Sequence, residues 1–409
     1  MDIQRRTFLA GAGGVAAAGV LASCAAPGAG TAAHTTAEVV DFHGANQPGV
    51  YRPIVQQQAS CFAAFRVLAA DATELKALLQ RLTVKARILG GGQRAGDALP
   101  ASEQPGVDGA PPVNSGVMGD DVPPANFTMT LGLAGSLFDN PAYGLSAKKP
   151  RGLTDMKVFA NDAIDEAWTG GDLILQLCAD STDMVHYALR DIMKATRGQL
   201  QLQWKINGFH STPRPDGAPR NLFGYKDGIV NPAETEELVW LGSGSGQPAW
   251  AEGGTFMVVR LIRMLVEFWD RVGLAEQDGM IGRHRASGAP LGQAKDTDTP
   301  DYASDPKGET IPVDAHIRLA NPRTKETAGS RMLRRGYNYE MGVDLNGNMQ
   351  AGLIFTCFQQ DIRAQFEATQ ARLINEPMTD YIQPFGGGYF FVPAGVEDEA
   401  GFLGQGMFT

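Results

Sequence analysis

The two halves of this chain repeat one pattern of strands and helices, and this repeat constrains the fold more than any other feature. Leu173-Ile174 stand in an apolar run before one helical pattern, and Leu353-Ile354 stand in the same way before another. A tandem duplication of one α+β unit, with an antiparallel sheet in each half and helices on one face, accounts for this better than a parallel βα alternation. The apolar, strand-like runs that support this prediction are 61–69, 127–133, 172–179, 254–264 and 353–358.

Local signals place the helices and loops around these runs. Asp71 and Glu74 have capping-box spacing and predict a helix start directly after the first strand. Residues 90–125 are rich in Gly, Pro and small polar side chains, which predicts a long surface excursion. Further helices are predicted at 183–197, through Phe268 and Trp269, and at 362–375.

Composition shifts divide the chain into four segments. A leader occupies 1–24, a linker rich in Ala, Thr and Gly follows at 25–50, and two globular segments occupy 51–215 and 216–409. The connection between the two globular segments is again rich in Gly, Pro and Ser, as expected of a surface link.

The N-terminus predicts export. Arg5-Arg6 precede hydrophobic residues and a short Gly/Ala-rich stretch, which is the pattern of a twin-arginine signal and is too short to span a bilayer stably. Leu21-Ala-Ser-Cys24 resembles a bacterial lipobox, so lipidation of Cys24 would hold the protein at the outer face of the plasma membrane. The alternative is cleavage near the same residues and release of a soluble periplasmic protein.

The charge balance and the cysteines exclude several classes of protein. A formal net charge of −10 argues against a nucleic-acid partner, because phosphate binding needs a basic surface. The four cysteines are too far apart for a CxxC redox motif, a zinc knuckle or covalent haem attachment. Cys178 and Cys357 lie in apolar runs, where a thiol usually behaves as a small buried hydrophobe.

Three elements in the second half carry candidate chemistry. Asp227 lies in the loop GYKDGIVNP, His316 lies in DAHIRLANPR, and Arg334 lies in MLRRGYNY. A Gly-flanked Asp in a Pro-containing loop is by itself usually a turn residue, and a lone His is usually structural. The three elements gain meaning from their combination and order.

In this combination the sequence resembles the dye-decolourising-type haem peroxidases, in their exported branch associated with bacterial ferrous-iron uptake and described as deferrochelatase/peroxidase. The resemblance covers essentially the whole chain and extends to VRLIRMLVEFWDR at 259–271 and to the closing YIQPFGGGYFFVP at 381–393. It implies a tandem ferredoxin-like fold, in the manner of a dimeric α+β barrel. It also implies one non-covalent haem b, held mainly in the C-terminal half.

The resemblance also implies the roles of individual residues. His316 matches the axial ligand of the haem iron, which leaves one axial position open for peroxide. A ligating His needs an acceptor on its other ring nitrogen. Asp380 is the candidate acceptor, with Asp361 second and Asp314 too close in sequence for easy geometry.

On the peroxide side, Asp227 matches an acid/base that moves a proton between the two peroxide oxygens. Arg334 matches the guanidinium that keeps Asp227 ionised and stabilises the charge that develops as the O–O bond breaks. Arg335 is the competing assignment, since an alignment shift of one residue exchanges the two. Some relatives carry an Asn where this chain has Gly336, and the Gly matches the iron-uptake branch.

Further haem contacts are predicted for two groups of residues. Cations near the pocket could bind the haem propionates, and the candidates are Arg260, Arg283 and Arg318. Apolar side chains of one strand could line the haem face, although an ordinary strand core is an equal alternative, and these are Leu353, Phe355 and Phe358.

Three hypotheses follow for function. The first is a peroxidase that reduces hydrogen peroxide and oxidises dyes, phenols or ferrous iron, with other iron-uptake components at the membrane as partners. The second is release of iron from haem with the tetrapyrrole left intact, and the third is a haem carrier that needs neither Asp227 nor Arg334. The electron donor and the oligomeric state stay open, a homodimer being one alternative.

Overall fold

The structure is a computed structural model that describes residues 39–92, 115–119, 121–210, 218–233 and 235–409. The predicted leader, the lipobox and Cys24 lie outside the described residues, as does most of the predicted surface excursion. From Phe42 to Val50, in the last part of the predicted linker, the chain packs against the fold, and the Gln47 amide donates to the carbonyls of Leu131 and Pro393.

The first four strands form a ferredoxin-like group, which we call the N-terminal sheet. Its strands pair antiparallel in the order β2-β3-β1-β4. The elements in chain order are β1 (Ala59–Val67), α1 (Ala72–Gly91), β2 (Thr128–Leu133), α2 (Gly135–Asp139), β3 (Leu173–Ala179), α3 (Thr182–Ala195) and β4 (Leu200–Phe209).

The second group, the C-terminal sheet, repeats this order as β9-β5-β8-β7, with the short β6 beside the end of β8. Its elements are α4 (Thr235–Leu238), β5 (Thr255–Met264), α5 (Val266–Trp269), α6 (Leu274–Ile281), α7 (His316–Ala320), β6 (Leu333–Arg334), β7 (Tyr337–Val343), β8 (Met349–Gln359), α8 (Ala368–Leu373) and β9 (Ile382–Val392). A π-helical turn at Ile362–Glu367 leads into α8.

The two sheets close into one ring through their edges. Leu133 of β2 pairs with Phe391 of β9, and Phe209 of β4 pairs with Asn338 of β7. The predicted α+β fold of antiparallel sheets with helices outside is therefore confirmed. The predicted segment boundary at 215/216 stays a prediction, because 211–217 lie outside the described residues.

Alternation of side chains along each strand produces two apolar layers. One layer lies inside the closed sheet and includes Phe62, Ile174 and Ile354. The other lies outside, where Leu175 of β3 packs with α1 and α3. Asp71 caps α1 as predicted, since its carboxylate accepts from the amides of Thr73 and Glu74.

The cysteines of the described chain behave as predicted. Cys61, Cys178 and Cys357 are all free and buried, and burial raises the pKa of Cys61 to about 12. No helix in the described ranges is both long and apolar enough to cross a membrane.

Candidate active site

A cavity lies on the outer face of the C-terminal sheet. Its volume is about 280 Å³, just below the roughly 300–1,000 Å³ of pockets that bury drug-sized ligands. Outward-facing residues of β5, β8 and β9 form its floor, among them Ile262, Leu353 and Pro384. The walls come from the loop 221–232, from α7 and from α8.

His316 stands at the first position of α7 and lines this cavity. Its Nδ1 lies 2.6 Å from Oε2 of Glu376, which is 3% exposed. The prediction of Asp380 as the partner of His316 is therefore wrong. Asp380 is exposed in the turn that leads into β9, and the runner-up Asp361 instead caps the π-helical turn by accepting from the amide of Ala364.

The carboxylate of Glu376 sets the state of the imidazole. Burial lowers the pKa of His316, but Glu376 more than offsets this, and the pKa is raised above its ordinary value. A carboxylate on Nδ1 favours the tautomer with the proton on that nitrogen and makes Nε2 a better donor to a metal. No hydrogen bond to Nε2 is present in the described part of the chain, so this nitrogen is left for a ligand.

The structure brings Asp227 and Arg334 together. Nη1 of Arg334 donates to Oδ1 of Asp227 at 3.0 Å, and both side chains are about one-third exposed at the cavity. Arg335 points away from this pair, because successive strand residues face opposite sides. It is 5% exposed, and its Nη1 donates to the carbonyl of Pro53. The geometry thus separates the two arginines that the sequence left interchangeable.

The loop around Asp227 is shaped by local hydrogen bonds. Gly228 has a φ of 81°, a region that favours glycine, and its amide donates to Oδ1 of Asp227 at 2.7 Å. The amide of Asp227 donates to the carbonyl of Pro219. Further along, the Asn231 side chain bonds the backbone of Arg334. The loop therefore holds the Asp227 carboxylate through the amide of Gly228 and the Asp227 backbone through the carbonyl of Pro219.

The three arginines predicted near the haem propionates have different surroundings. Arg283 lines the cavity and is 6% exposed, and among the described residues its guanidinium donates to the carbonyls of Gly288 and Asp296. Arg260 also lines the cavity, but both of its terminal nitrogens contact the buried carboxylate of Asp162. Arg283 is thus the cation that a ligand carboxylate could pair with, while Arg260 already has its counter-ion.

The prediction for Arg318 is wrong. It lies outside the cavity lining, stacks over Tyr302 at 4.9 Å, and donates to carbonyls of Asp305 and Ile311. The reason is helical geometry, since residues two apart on a helix point in nearly opposite directions. With His316 turned into the cavity, Arg318 must turn out of it.

The apolar predictions divide in the same way. Leu353 and Phe355 line the cavity floor, whereas Phe358 is fully buried inside the closed sheet and pairs with Leu333. Because strand side chains alternate with a period of two, 353 and 355 share the outer face and 358 lies on the inner one. Phe358 as a haem contact is therefore wrong.

The residues of this cavity fit haem, the cofactor that the resemblance implies. Haem is a flat apolar ring with a central iron and two carboxylates. The cavity offers one imidazole with a free Nε2, apolar walls, and Arg283, which forms no ion pair within the described ranges. In the same part of the chain, no group of three or more His, Cys, Asp or Glu side chains could hold a bare metal ion.

Sequence reasoning missed two residues of this site. Glu376 lies 60 positions after His316 and is brought to it by the turn before β9, so no local spacing pointed to it. Asn231 lies within the GYKDGIVNP loop. An Asn side chain between the Asp and a Pro of this loop is a signal that could have identified it as part of the site.

The comparisons with known proteins cover nearly the whole chain. Residues 47–210 match the family described as Dyp-type peroxidase, N-terminal, and residues 218–397 match Dyp-type peroxidase, C-terminal. Deferrochelatases from Yersinia pestis and from Escherichia coli are each 42% identical, over 99% of this chain and 94% and 96% of their own lengths.

Solved structures agree with the sequence relatives. Ferric DtpA from Streptomyces lividans superposes with a TM-score of 0.80 and 31% identity, covering 91% of this chain and 97% of that chain. Likeness at this level over both halves, together with the cavity chemistry, settles the family. The chain belongs to the Dyp-type peroxidase family, in its deferrochelatase branch, and is a haem-dependent peroxidase.

Proposed function

We propose that His316 holds haem b in the cavity of the C-terminal sheet and that Asp227 and Arg334 act on hydrogen peroxide beside it. One observation carries this assignment. A carboxylate-supported imidazole with a free nitrogen lines the same cavity as a carboxylate–guanidinium pair. The first group suits iron ligation and the second suits activation of peroxide.

The protein residues divide the chemistry between them. Haem, when bound, supplies the iron that accepts electrons from the donor and passes them to peroxide. Oδ1 of Asp227 is held by the amide of Gly228 and by Arg334, which leaves Oδ2 to take a proton from peroxide and return it to the departing oxygen. Arg334 stabilises the negative charge on that oxygen until the proton arrives.

The reducing substrates are part of the same proposal. We propose that hydrogen peroxide is the oxidant and that phenols, dyes and ferrous iron are the donors that are oxidised. An absorption spectrum of the purified, haem-loaded protein before and after one equivalent of peroxide tests the assignment. We expect a Soret band that changes with peroxide and returns on addition of donor. A Soret band that does not respond to peroxide would reject the assignment of Asp227 and Arg334.

Location and partners are part of the same proposal. The Arg5-Arg6 leader supports twin-arginine export, and Cys24 supports a lipid anchor at the plasma membrane, where iron-uptake components would be partners. Replacing Arg5 and Arg6 by Lys should leave haem-loaded protein inside the cell. Replacing Cys24 by Ala should release exported protein from the membrane fraction, and unchanged membrane association would exclude the anchor.

A second candidate function comes from the activity for which the relatives are named. Deferrochelatases at 42% identity favour release of iron from haem with the porphyrin intact. This function predicts that protoporphyrin accumulates in cells that make the protein and take up haem. Equal porphyrin in cells with the wild type and with His316→Ala would exclude it.

A further inference from the structure

Asn231 bonds the main chain of the very residue whose side chain pairs with Asp227. Its Nδ2 donates to the carbonyl of Arg334 at 3.0 Å, and its Oδ1 accepts from the amide of Arg334 at 3.0 Å. Asn231 also lines the cavity, four residues after Asp227 in the same loop. One amide side chain thus satisfies both backbone polar groups of Arg334.

This contact replaces a missing strand. Arg334 ends β6, a strand of two residues that has β8 on one side. The next amide, that of Arg335, donates to Thr356 of β8, so the N–H and C=O of Arg334 point to the opposite edge. An unpaired backbone pair there would cost free energy comparable to lost hydrogen bonds. Asn231 bonds this edge as a neighbouring strand would.

The contacts form a closed ring. It runs from Asp227 along the loop to Asn231, across two hydrogen bonds to the backbone of Arg334, and along that side chain back to Oδ1 of Asp227. Without Asn231 the ring depends on one ion pair whose partners are 31% and 34% exposed. Ion pairs at such exposure contribute too little to stability to fix a geometry.

We infer that Asn231 is a positioning residue for the peroxide chemistry, because it sets the separation of Asp227 and Arg334 through the Arg334 backbone. This inference rests on the proposed roles of that pair. Neighbouring contacts do not supply the same constraint, since Gln56 and His210 both bond the carbonyl of Gly336 and leave Arg334 untouched.

The variant Asn231→Ala tests this inference in the haem-loaded protein. Misplacement of a catalytic group by about 1 Å can cost about 100-fold, so we expect the rate constant for reaction with peroxide to fall about 10- to 100-fold. The KM for the reducing donor should stay within about twofold. A crystal structure of the variant should show that the 3.0 Å contact between Arg334 Nη1 and Asp227 Oδ1 is lost.

Asn338→Ala is the matched control. The Asn338 amide donates to the carbonyl of Arg220 and so ties the same loop to β7 without touching Arg334. This variant should keep the Asp227–Arg334 contact and lose less than about threefold in the peroxide rate. Equal losses in the two variants would mean that Asn231 only anchors the loop, and would overturn the inference.

A double-mutant cycle separates positioning from general stability. In the background of Arg334→Leu, Asn231→Ala should have almost no further effect on the peroxide rate, because the group that it positions is gone. If the effects of the two substitutions on the peroxide rate multiply instead, the inference is overturned. If Asn231→Ala fails to fold, Asn231→Asp serves in its place, since it keeps the acceptor for the Arg334 amide and loses the donor to its carbonyl.

The crystal structure also separates this inference from the proposed function. A wild type that does not react with peroxide would reject the roles of Asp227 and Arg334, whatever the variant shows. A wild type that reacts, together with an Asn231→Ala structure in which the contact is unchanged, would reject positioning alone.

Discussion

The two sheets have the same strand order, but long helices cover the outer face of one sheet and leave part of the outer face of the other uncovered. The N-terminal sheet is covered by α1, with 20 residues, and α3, with 14, which pack leucines such as Leu82 and Leu175 into a dry layer. In the C-terminal sheet the connection from β5 to β6 contains only shorter helices within the described chain, the longest being α6 with eight residues. Its outer face is left open over Leu353 and Phe355, and the cavity lies there.

The difference shows how one duplicated unit can hold both a core and a site. Long amphipathic helices bury a sheet face and stabilise it. A long connection with short helices covers the same face only at its rim, and it brings polar residues such as His316 to that rim. The cavity therefore lies over the part of this outer face that the helices of the second unit do not cover.

The largest expected effect is loss of haem from the C-terminal cavity. His316→Ala removes the only histidine that lines this cavity in the described chain, and we expect haem per purified chain to fall by more than about tenfold. The matched control is His284→Ala, a half-exposed histidine that lies outside the cavity lining. Equal haem content in both variants, measured by absorbance, would show that His316 is not the ligand.

The next effect concerns peroxide chemistry at the same face. Asp227→Asn and Arg334→Leu should each lower kcat/KM for peroxide by about 10²–10³ while haem content is unchanged. The first variant removes the proton acceptor, and the second removes the charge that stabilises the departing oxygen. Rapid-mixing kinetics at several peroxide concentrations would measure both, and turnover at the wild-type rate would refute the roles proposed for the pair.

A matched pair of leucines tests the contrast between the two faces directly. Leu175→Ala, under α1 and α3, should lower the free energy of unfolding by about 2–5 kcal/mol. Leu353→Ala should cost about 2 kcal/mol less, because its side chain borders an open cavity and leaves no new enclosed void. Urea unfolding of the haem-free proteins measures the difference, and equal costs would mean that the C-terminal face is packed like the N-terminal one.

The smallest expected effect concerns the carboxylate behind His316. Glu376→Gln should weaken haem binding about tenfold and raise the reduction potential of the haem iron, because an amide makes the imidazole a poorer donor. Asp380→Asn changes the charge equally, four residues away on the surface, and should leave both quantities unchanged. A haem titration and a redox titration of each variant check this, and a larger effect at Asp380 would indicate that Asp380, and not Glu376, supports His316.

Much of the fold followed from the sequence because strand alternation and helix spacing are local. The runs at 127–133, 172–179 and 254–264 lie within one residue of the observed strand bounds. β4 was missed although Leu200, Leu202 and Trp204 alternate with polar residues, a pattern typical of a strand with one solvated face. The single helix predicted at 362–375 begins as a π-helical turn, and the spacing of apolar residues did not predict this turn.

Only the site residues that belong to a recognisable motif could be predicted from the sequence. The sequence pairing of Asp227 with Arg334 agrees with the 3.0 Å contact, but the choice between Arg334 and Arg335 needed the strand register. Arg318 and Phe358 are both excluded by periodicity. Arg318 lies two helix positions after His316, and Phe358 lies three strand positions after Phe355, so each points away from the cavity. The contact of Glu376 with His316 depends on a turn that is distant from His316 in sequence, and the periodicity of apolar residues does not predict such contacts.

A crystal structure of the haem-loaded protein tests the central claim most directly, namely that the open face of the C-terminal sheet is the haem site. We predict density for the tetrapyrrole in the cavity over Leu353 and Phe355, with His316 as the protein ligand of the iron and Arg283 beside a propionate. Haem bound elsewhere, or iron ligated by another residue, would contradict the account.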